Sequence, residues 1–179
     1  DEKPPELDKF FGSILDTIDK WSKKKSHKVP RIVFELGRSI IGPAGLLVCK
    51  VLTLKKGTEN YDKNFIVVDA AMNDLMRPSL YDAYHEIFPL TRLNKSNSDK
   101  CWDVVGPICE TGDWLGKGRY IHTNEGDFLA VASAGAYGSS MASNYNSRAR
   151  PAELIIRENG KVDIIKKRES FEDLIKNET

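Results

Sequence analysis

Short apolar runs separated by turn residues are the feature that most constrains the fold of this chain. From residue 46 onward they recur at 46–54, 65–68, 104–105, 128–132, 154–156 and 162–165. Runs of this kind between Gly, Pro, Asn and Asp residues are typical of β-strands. Glu158-Asn159-Gly160, between the last two runs, predicts a tight hairpin. The sequence therefore predicts an antiparallel β domain over 46–179, a barrel or a sandwich, with short helices near 78–87 and 170–176.

The first 45 residues have a different pattern. Apolar residues at three- and four-residue spacing predict a helix over 5–22. The apolar run that begins at Arg31 predicts a strand over 31–35 that is buried on both faces. Because one helix and one strand cannot form a domain alone, residues 1–45 are predicted to be the end of a (β/α) barrel that is otherwise absent.

Composition and charge limit the possible partners. The chain has 27 Lys and Arg against 26 Asp and Glu, so its net charge of +1 argues neither for nor against a polyanionic partner. The lysines at 23–25 are interpreted as a helix end, since no aromatic or further basic cluster supports a nucleic-acid patch. Charged residues interrupt the longest apolar region, 32–54, which excludes a membrane span. We expect neither nucleic acid nor a membrane as partner.

The cysteines and histidines bear on compartment and metal content. Three cysteines without regular spacing suit a reducing compartment, and no secretory signal is present, so a cytoplasmic location is expected. His27, His85 and His122 are scattered, and no cysteine pair has the spacing of metal ligands. No metal site is assigned, and His85 is interpreted as structural.

Cys109 and Glu110 lie side by side between Gly106 and Gly112. A thiol that can give up a proton, next to a fixed negative charge, favours acid chemistry on a cationic substrate. A semi-buried cysteine beside a solvated glutamate is the alternative, because free cysteine is often only a small hydrophobic side chain. The pair alone does not decide between the two.

Three further segments carry candidate site residues. Residues 35–38, Glu-Leu-Gly-Arg, follow the predicted strand at the position where α/β barrels place catalytic groups, although a salt bridge explains them equally well. Arg77 and Tyr81 are four apart at a predicted helix start, so both can reach one anionic group or form a polar helix face. Tyr137 and Tyr145 lie among small residues that permit close backbone approach, or simply a plain loop.

Four motifs in this order resemble one enzyme family. Segments 35–38, 68–85, 104–113 and 134–153 match the conserved patterns of diaminopimelate decarboxylases, pyridoxal-phosphate enzymes of the alanine-racemase-like fold type. The resemblance covers nearly everything from Arg31 to the end of the chain. It implies a barrel domain that holds pyridoxal 5'-phosphate, followed by a β domain that closes the shared active sites of a homodimer.

The resemblance also assigns the residues that would contact the cofactor. Glu35 would keep the pyridine nitrogen protonated, so that the ring can take up electrons when carbon dioxide leaves. Arg38 would lie near the cofactor phosphate and a substrate carboxylate, and Tyr137 would touch both cofactor and substrate. Leu36 departs from the proline of the family pattern, but Glu35, Gly37 and Arg38 stay in register.

Diaminopimelate, the substrate that the resemblance implies, carries an amino acid group at each end. Arg38, Arg77 and Tyr81 suit its distal carboxylate, and Glu110 suits its distal ammonium. Cys109 would donate a proton to the carbon that has lost carbon dioxide. By the same resemblance, Cys109 and Glu110 reach the cofactor bound by the other subunit, and the product is L-lysine.

Two other interpretations are considered. Decarboxylases of ornithine, arginine or other polyamine precursors usually follow the cysteine with aspartate, so Glu110 and Arg77 favour diaminopimelate. A non-catalytic homologue that only binds a partner would have no physical need for the full set of site residues.

The cofactor lysine of such enzymes lies upstream of the matched motifs. The sequence begins at Asp1 without an initiator methionine, so we expect it to be part of a longer protein. These 179 residues alone are expected to have no decarboxylase activity and to bind pyridoxal phosphate weakly or not at all.

Overall fold

The computed structural model describes residues 6–59, 61–90 and 100–179. The chain divides into two compact units, one up to Glu35 and one from Leu36 onward. The sequence predicts this boundary after residue 45. The ten residues in between belong to the second unit, where they form helix α2 (Gly37–Ile41) and a 3₁₀ turn, Gly42–Ala44.

The first unit contains one long helix. Helix α1 spans Leu7–Lys25, with Asp8 in its first turn and three lysines in its last, which complements the helix dipole. It ends three residues later than predicted, because Ser26 adopts a left-handed conformation (φ 53°) and its N–H bonds back to Lys23. The position of the predicted start, residue 5, lies outside the described residues.

The predicted strand over 31–35 is wrong. These residues run as irregular chain, in which Phe34 packs edge-on against Phe11 of α1, with 4.7 Å between ring centres. A strand forms only by pairing with another strand, and the described residues of this unit include no second strand. The predicted burial on both faces is wrong as well, because Val33 is 72% exposed and Phe34 40%.

The second unit is built on a sheet. Among the described residues, six strands form it: β1 (Leu47–Lys55), β2 (Phe65–Val68), β3 (Ile87–Pro89), β4 (Trp102–Val105), β5 (Trp114–Arg119) and β6 (Phe128–Val131). Their order in the sheet is β3-β6-β1-β2-β4-β5. The prediction of a mainly β unit is confirmed, but the sheet is mixed, because β2 and β4 pair in parallel.

The sheet curls until its two edge strands approach each other. β3 and β5 lie at opposite ends of the strand order. Nevertheless, a Cβ on Gly116 of β5 would lie 2.8 Å from Cδ1 of Ile87 in β3. Nη2 of Arg119 donates to the His85 carbonyl oxygen over 3.0 Å. The sheet is therefore a half-barrel whose edges meet through side chains rather than backbone hydrogen bonds.

The core fills the inside of this curl. It consists mainly of aliphatic side chains with little or no exposed surface, and Trp102 and Cys49 complete it. The aliphatic members include Val51, Ile66, Leu75, Leu115 and Leu129. Burial alternates along β2, as expected for a strand with one face toward the core. Within the described ranges, no helix combines the length and apolar character that a membrane span requires.

A separate hairpin and a short helix follow. β7 (Glu153–Ile156) and β8 (Val162–Lys166) pair antiparallel around the predicted turn. Helix α4 (Phe171–Ile175) begins at a capping box, in which Ser170 and Asp173 bond to each other's backbone N–H groups. The prediction of a short helix over 170–176 thus agrees with the structure.

Helix α3 (Arg77–Tyr81) is shorter than the predicted 78–87. Asp82 adopts a left-handed conformation (φ 52°), which ends the helix after Tyr81. The chain then extends into β3, so residue 87 is in a strand instead. Arg77, in the first turn, and Tyr81, in the last, are consequently the two ends of one short helix.

Gly45 and Gly135 pack backbone against backbone where the segment after α2 crosses the loop after β6. The Ala134 and Gly135 N–H groups donate to the Gly45 and Gly42 carbonyl oxygens, at 2.9 and 3.1 Å. A Cβ on Gly135 would lie 2.0 Å from the Ile41 carbonyl oxygen, and one on Gly45 would lie 2.3 Å from Cα of Gly135. Only glycine fits at either position.

Replacing Gly135 by alanine should therefore lower the free energy of unfolding by about 2 kcal/mol, because the backbone must move to admit the methyl group. Urea unfolding measures the change. Gly12→Ala in α1 is the matched control, since a Cβ there meets nothing within 4 Å and alanine is the better helix former. If Gly135→Ala does not lower the free energy of unfolding, or if both variants lower it equally, the close packing at the crossing does not stabilise the fold.

Candidate functional site

The glycine crossing brings α2 beside the loop that follows β6. A pocket of about 280 Å³ lies here, and its lining includes Arg38, Arg77, Tyr84, His85, Ser133 and Ala136. Arg38 comes from α2 and Arg77 from α3, while Ser133 and Ala136 belong to the loop. Residues that are far apart in the sequence thus share one pocket.

The pocket is cationic. Among the described residues, neither Arg38 nor Arg77 has a carboxylate partner. The Arg77 guanidinium carbon lies 5.6 Å from the ring centres of both Tyr81 and Tyr137, within the range of cation–π contacts. Two unpaired guanidinium groups beside two phenols suit an anionic ligand such as a phosphate or a carboxylate.

The loop between β6 and β7, residues 132–152, has an unusual backbone. Ser133 and Tyr137 have positive φ angles of 57° and 59°, and Asn146 and Ser147 have φ angles of 59° and 55°. Non-glycine residues pay a conformational cost in this region, and such residues cluster at functional sites. The strain therefore favours a binding loop over a plain connection.

His85 lies beneath the pocket and is 4% exposed. Its Nδ1 lies 2.8 Å from the Ala132 carbonyl oxygen, which can only accept, so the ring proton is on Nδ1. Burial lowers the pKa of His85, and the nearby charges of Arg77 and Arg119 lower it further. The ring is thus a neutral, fixed part of the pocket wall.

Cys109 and Glu110 occupy a second part of the surface. Both are exposed, so the alternative of a semi-buried cysteine does not apply. The Glu110 carboxylate accepts from the Thr111 N–H at Oε1 over 3.1 Å and from the Tyr145 hydroxyl at Oε2 over 3.2 Å. The hydrogen bond to Glu110 raises the pKa of the Tyr145 phenol.

Asp113 fixes the loop that carries this pair. Its buried carboxylate accepts from the Met72 and Ile108 N–H groups, each over 2.7 Å. Burial raises its pKa, while these two hydrogen bonds favour the charged form. The Ser79 hydroxyl of α3 donates to the Gly112 carbonyl oxygen as well. Helix α3 therefore supports this loop in addition to carrying Arg77.

Arg148 joins the strained loop to the segment before α3. Its Nε donates to the Asn73 side-chain oxygen (3.0 Å) and its Nη2 to the Asp69 carbonyl oxygen (2.6 Å), with the Asp74 carboxylate at 3.6 Å. The Asn73 side-chain amide donates in turn to the Ser143 carbonyl oxygen over 3.0 Å. These contacts hold the loop in place on one side.

Glu169 holds the same loop on the other side. Its carboxylate accepts from the Asn144 side-chain amide (2.6 Å) and from the Arg150 N–H (2.8 Å) and Nε (2.8 Å). The hydrogen bonds from Arg150 lower the pKa of Glu169 to about 2. In the sequence, Tyr145 lies between Asn144 and Arg148, which make these two attachments.

The structure brings most of the predicted site residues into two groups. Arg38, Arg77, Tyr81 and Tyr137 meet at or beside the pocket, and Cys109 and Glu110 form the second group with Tyr145.

The segment 35–38 does not stay together as a strand end. Glu35 is exposed in irregular chain of the first unit, whereas Leu36 precedes α2 and Gly37 begins it.

Sequence reasoning did not assign the supporting residues Asn73, Asp113, Arg148 and Glu169. Asn73, Asp113 and Arg148 lie within the quoted motifs, but no spacing rule connects them to their distant partners. Their role follows only from the three-dimensional contacts.

Comparison with known proteins identifies the family. Residues 9–135 match the family model described as the C-terminal sheet domain of pyridoxal-dependent decarboxylases. The chain belongs to this family.

Relatives agree along nearly the whole chain. Diaminopimelate decarboxylase of Neisseria meningitidis serogroup B is 47% identical over 178 residues, and that of Vibrio cholerae 44% identical over 174. These alignments cover 99% and 97% of this chain, but 40% and 39% of the relatives. The chain thus spans about two-fifths of the length of the curated relatives that it matches, and it is similar to their C-terminal part.

A solved structure has the same fold. Diaminopimelate decarboxylase from M. jannaschii, in co-complex with L-lysine, superposes with a TM-score of 0.88 at 35% identity. The match covers 100% of this chain and 39% of that one. The half-barrel and its preceding helix are therefore the architecture of this family.

The attachment at Glu169 predicts a dependence of stability on pH. The pKa of Glu169 is lowered from 4.5 to about 2 in the folded state. The stabilisation that its carboxylate provides is therefore complete above pH 4.5, the pKa in the unfolded chain, and is lost as the pH falls toward 2. Glu169→Gln should therefore show a smaller loss of unfolding free energy between about pH 5 and pH 3 than the parent protein. Urea unfolding of both proteins at the two pH values measures this. An equal loss of unfolding free energy in both would contradict the stabilising role of the Glu169 carboxylate.

Proposed function

We propose that this chain is the C-terminal part of a diaminopimelate decarboxylase, which removes carbon dioxide from meso-2,6-diaminopimelate to give L-lysine. The whole enzyme acts as a homodimer with shared active sites in the cytoplasm. The proposal rests on one observation: the second unit carries a cationic pocket and, elsewhere on its surface, an exposed carboxylate. A pocket with two unpaired arginines suits carboxylates, and the exposed Glu110 carboxylate suits an ammonium group.

Pyridoxal 5'-phosphate fits the residues of the pocket. Arg38 lacks a carboxylate partner within the described part of the chain, so a phosphate can take its hydrogen bonds. Arg38 and Tyr137 would hold the cofactor, with Leu36 and Gly37 beside Arg38 in the sequence and Glu35 at the pyridine nitrogen. When bound, the cofactor takes up the electron pair left on carbon as carbon dioxide departs.

The arginines also distinguish between candidate substrates. Diaminopimelate has a distal carboxylate, for which Arg77 and Tyr81 supply a guanidinium and a phenol at opposite ends of α3. Ornithine and arginine have no such carboxylate, so the Arg77 guanidinium would lack an anionic partner in their complexes. The L-lysine bound by the M. jannaschii relative is consistent with the product proposed here.

Cys109 supplies the proton. Its thiol donates to the carbon that has lost carbon dioxide, and Glu110 meanwhile binds the distal ammonium. The described hydrogen bonds of Glu110 run to Thr111 and Tyr145 rather than to the pocket residues. The resemblance to the family implies that Cys109 and Glu110 serve the cofactor of the neighbouring subunit.

Carbon dioxide release from meso-diaminopimelate by the whole protein tests the proposed function, and Cys109→Ala tests the acid. Loss of the proton donor should lower kcat by about 100-fold or more, because a positioned acid contributes at least this much. Cys101→Ala is the matched control, since Cys101 is also exposed but is not part of the site. A Cys109→Ala enzyme that runs at the full rate would show that another group supplies the proton.

Arg77→Ala tests the substrate. It should weaken the binding of diaminopimelate by about 10- to 100-fold, because a hydrogen bond between charged groups is lost. The binding of lysine analogues without the second carboxylate should change much less. Arg157→Ala, in the exposed β7–β8 hairpin, removes an equal charge as a control. Equal weakening for both kinds of ligand would mean that Arg77 does not contact the distal carboxylate.

A further inference from the structure

Tyr145 is the one partner from another loop that the described contacts give to Glu110. Its hydroxyl donates to Oε2 over 3.2 Å, while the backbone N–H of Thr111 donates to Oε1 over 3.1 Å. Each carboxylate oxygen thus accepts one hydrogen bond and has a lone pair left. The carboxylate has a fixed orientation and can still accept hydrogen bonds from a ligand.

Stability does not explain this contact. Tyr145 is 48% exposed and Glu110 is exposed as well, so water can solvate both groups when they separate. A hydrogen bond between exposed groups contributes little to the free energy of folding. What water cannot provide is a defined direction for the carboxylate, because solvent leaves the side chain free to change rotamer.

The surrounding structure holds Tyr145 firmly for an exposed side chain. Asn144, which precedes it, donates to Glu169 over 2.6 Å, and Arg148, which follows, bonds to Asn73 over 3.0 Å. Between them, Asn146 and Ser147 have positive φ angles. Two attachments and a strained backbone thus fix the segment of backbone that carries the phenol.

We propose that Tyr145 is a positioning residue that determines specificity for the distal ammonium group of the substrate. Its hydroxyl holds the Glu110 carboxylate in the orientation that receives this ammonium, and Tyr145 itself does not take part in the chemical step. This inference rests on the proposed function, in which Glu110 binds the distal ammonium of diaminopimelate. It adds a residue from the strained loop to the recognition of the substrate.

Tyr145→Phe in the whole enzyme tests the role, because it removes only the hydroxyl. The KM for meso-diaminopimelate should rise by about 5- to 10-fold with kcat nearly unchanged, as the carboxylate loses its orientation. The inhibition constant of 2-aminopimelate, which lacks the distal amino group, should not change. Tyr120→Phe is the matched control, since Tyr120 is also exposed. Equal weakening for both ligands would overturn the inference, as general damage to the site would produce it.

A double-mutant cycle with Glu110→Gln provides a second test. If Tyr145 acts through Glu110, removing its hydroxyl from a Glu110→Gln enzyme should change the KM for diaminopimelate by less than about two-fold. If the increases in KM of the two single variants multiply in the double variant, Tyr145 acts independently of Glu110. That result would also overturn the inference.

The two proposals fail in different ways. A whole protein that does not release carbon dioxide from diaminopimelate refutes the proposed function. An active parent enzyme whose Tyr145→Phe variant keeps the parental KM refutes only the role of Tyr145.

Discussion

The crossing of two backbone segments at Gly45 and Gly135 is the constraint on which the candidate pocket depends. No side chain fits there, and two backbone hydrogen bonds close the crossing. Because of this contact, Arg38 at the start of the second unit lies at the same pocket as residues almost one hundred positions later. Without it, α2 would have no fixed position relative to the loop that carries Tyr137.

The sequence predicted the strands with clear apolar runs but not those that depend on their neighbours. β1, β2 and β6 follow from composition, and the last hairpin follows from its Asn-Gly turn. β5 contains Gly116, which interrupts the pattern because Ile87 and Arg119 occupy the space of a side chain. The predicted strand over 31–35 failed for the opposite reason, since an apolar run is not a strand without a partner.

The candidate site was predictable in its residues but not in its organisation. Four motifs named Arg38, Arg77, Cys109 and Glu110, and the structure divides them between a cationic pocket and an exposed carboxylate. The residues that support them, such as Asp113, bond to atoms that lie tens of residues away in the sequence. Such contacts depend on the fold as a whole, and no local pattern in the sequence reports them.

The parallel pairing of β2 and β4 has a consequence for the segment that carries the candidate residues Arg77 and Tyr81. Two antiparallel strands can be joined by a tight turn, but parallel strands require the chain to return to its starting edge. The connection over 69–101 makes this return, and it carries α3 with Arg77 and Tyr81 as well as β3. A connection of this kind needs about a dozen residues or more, so it cannot be reduced to a tight turn while β2 and β4 stay parallel. The topology of the sheet therefore requires a long connection at the place where Arg77 and Tyr81 lie.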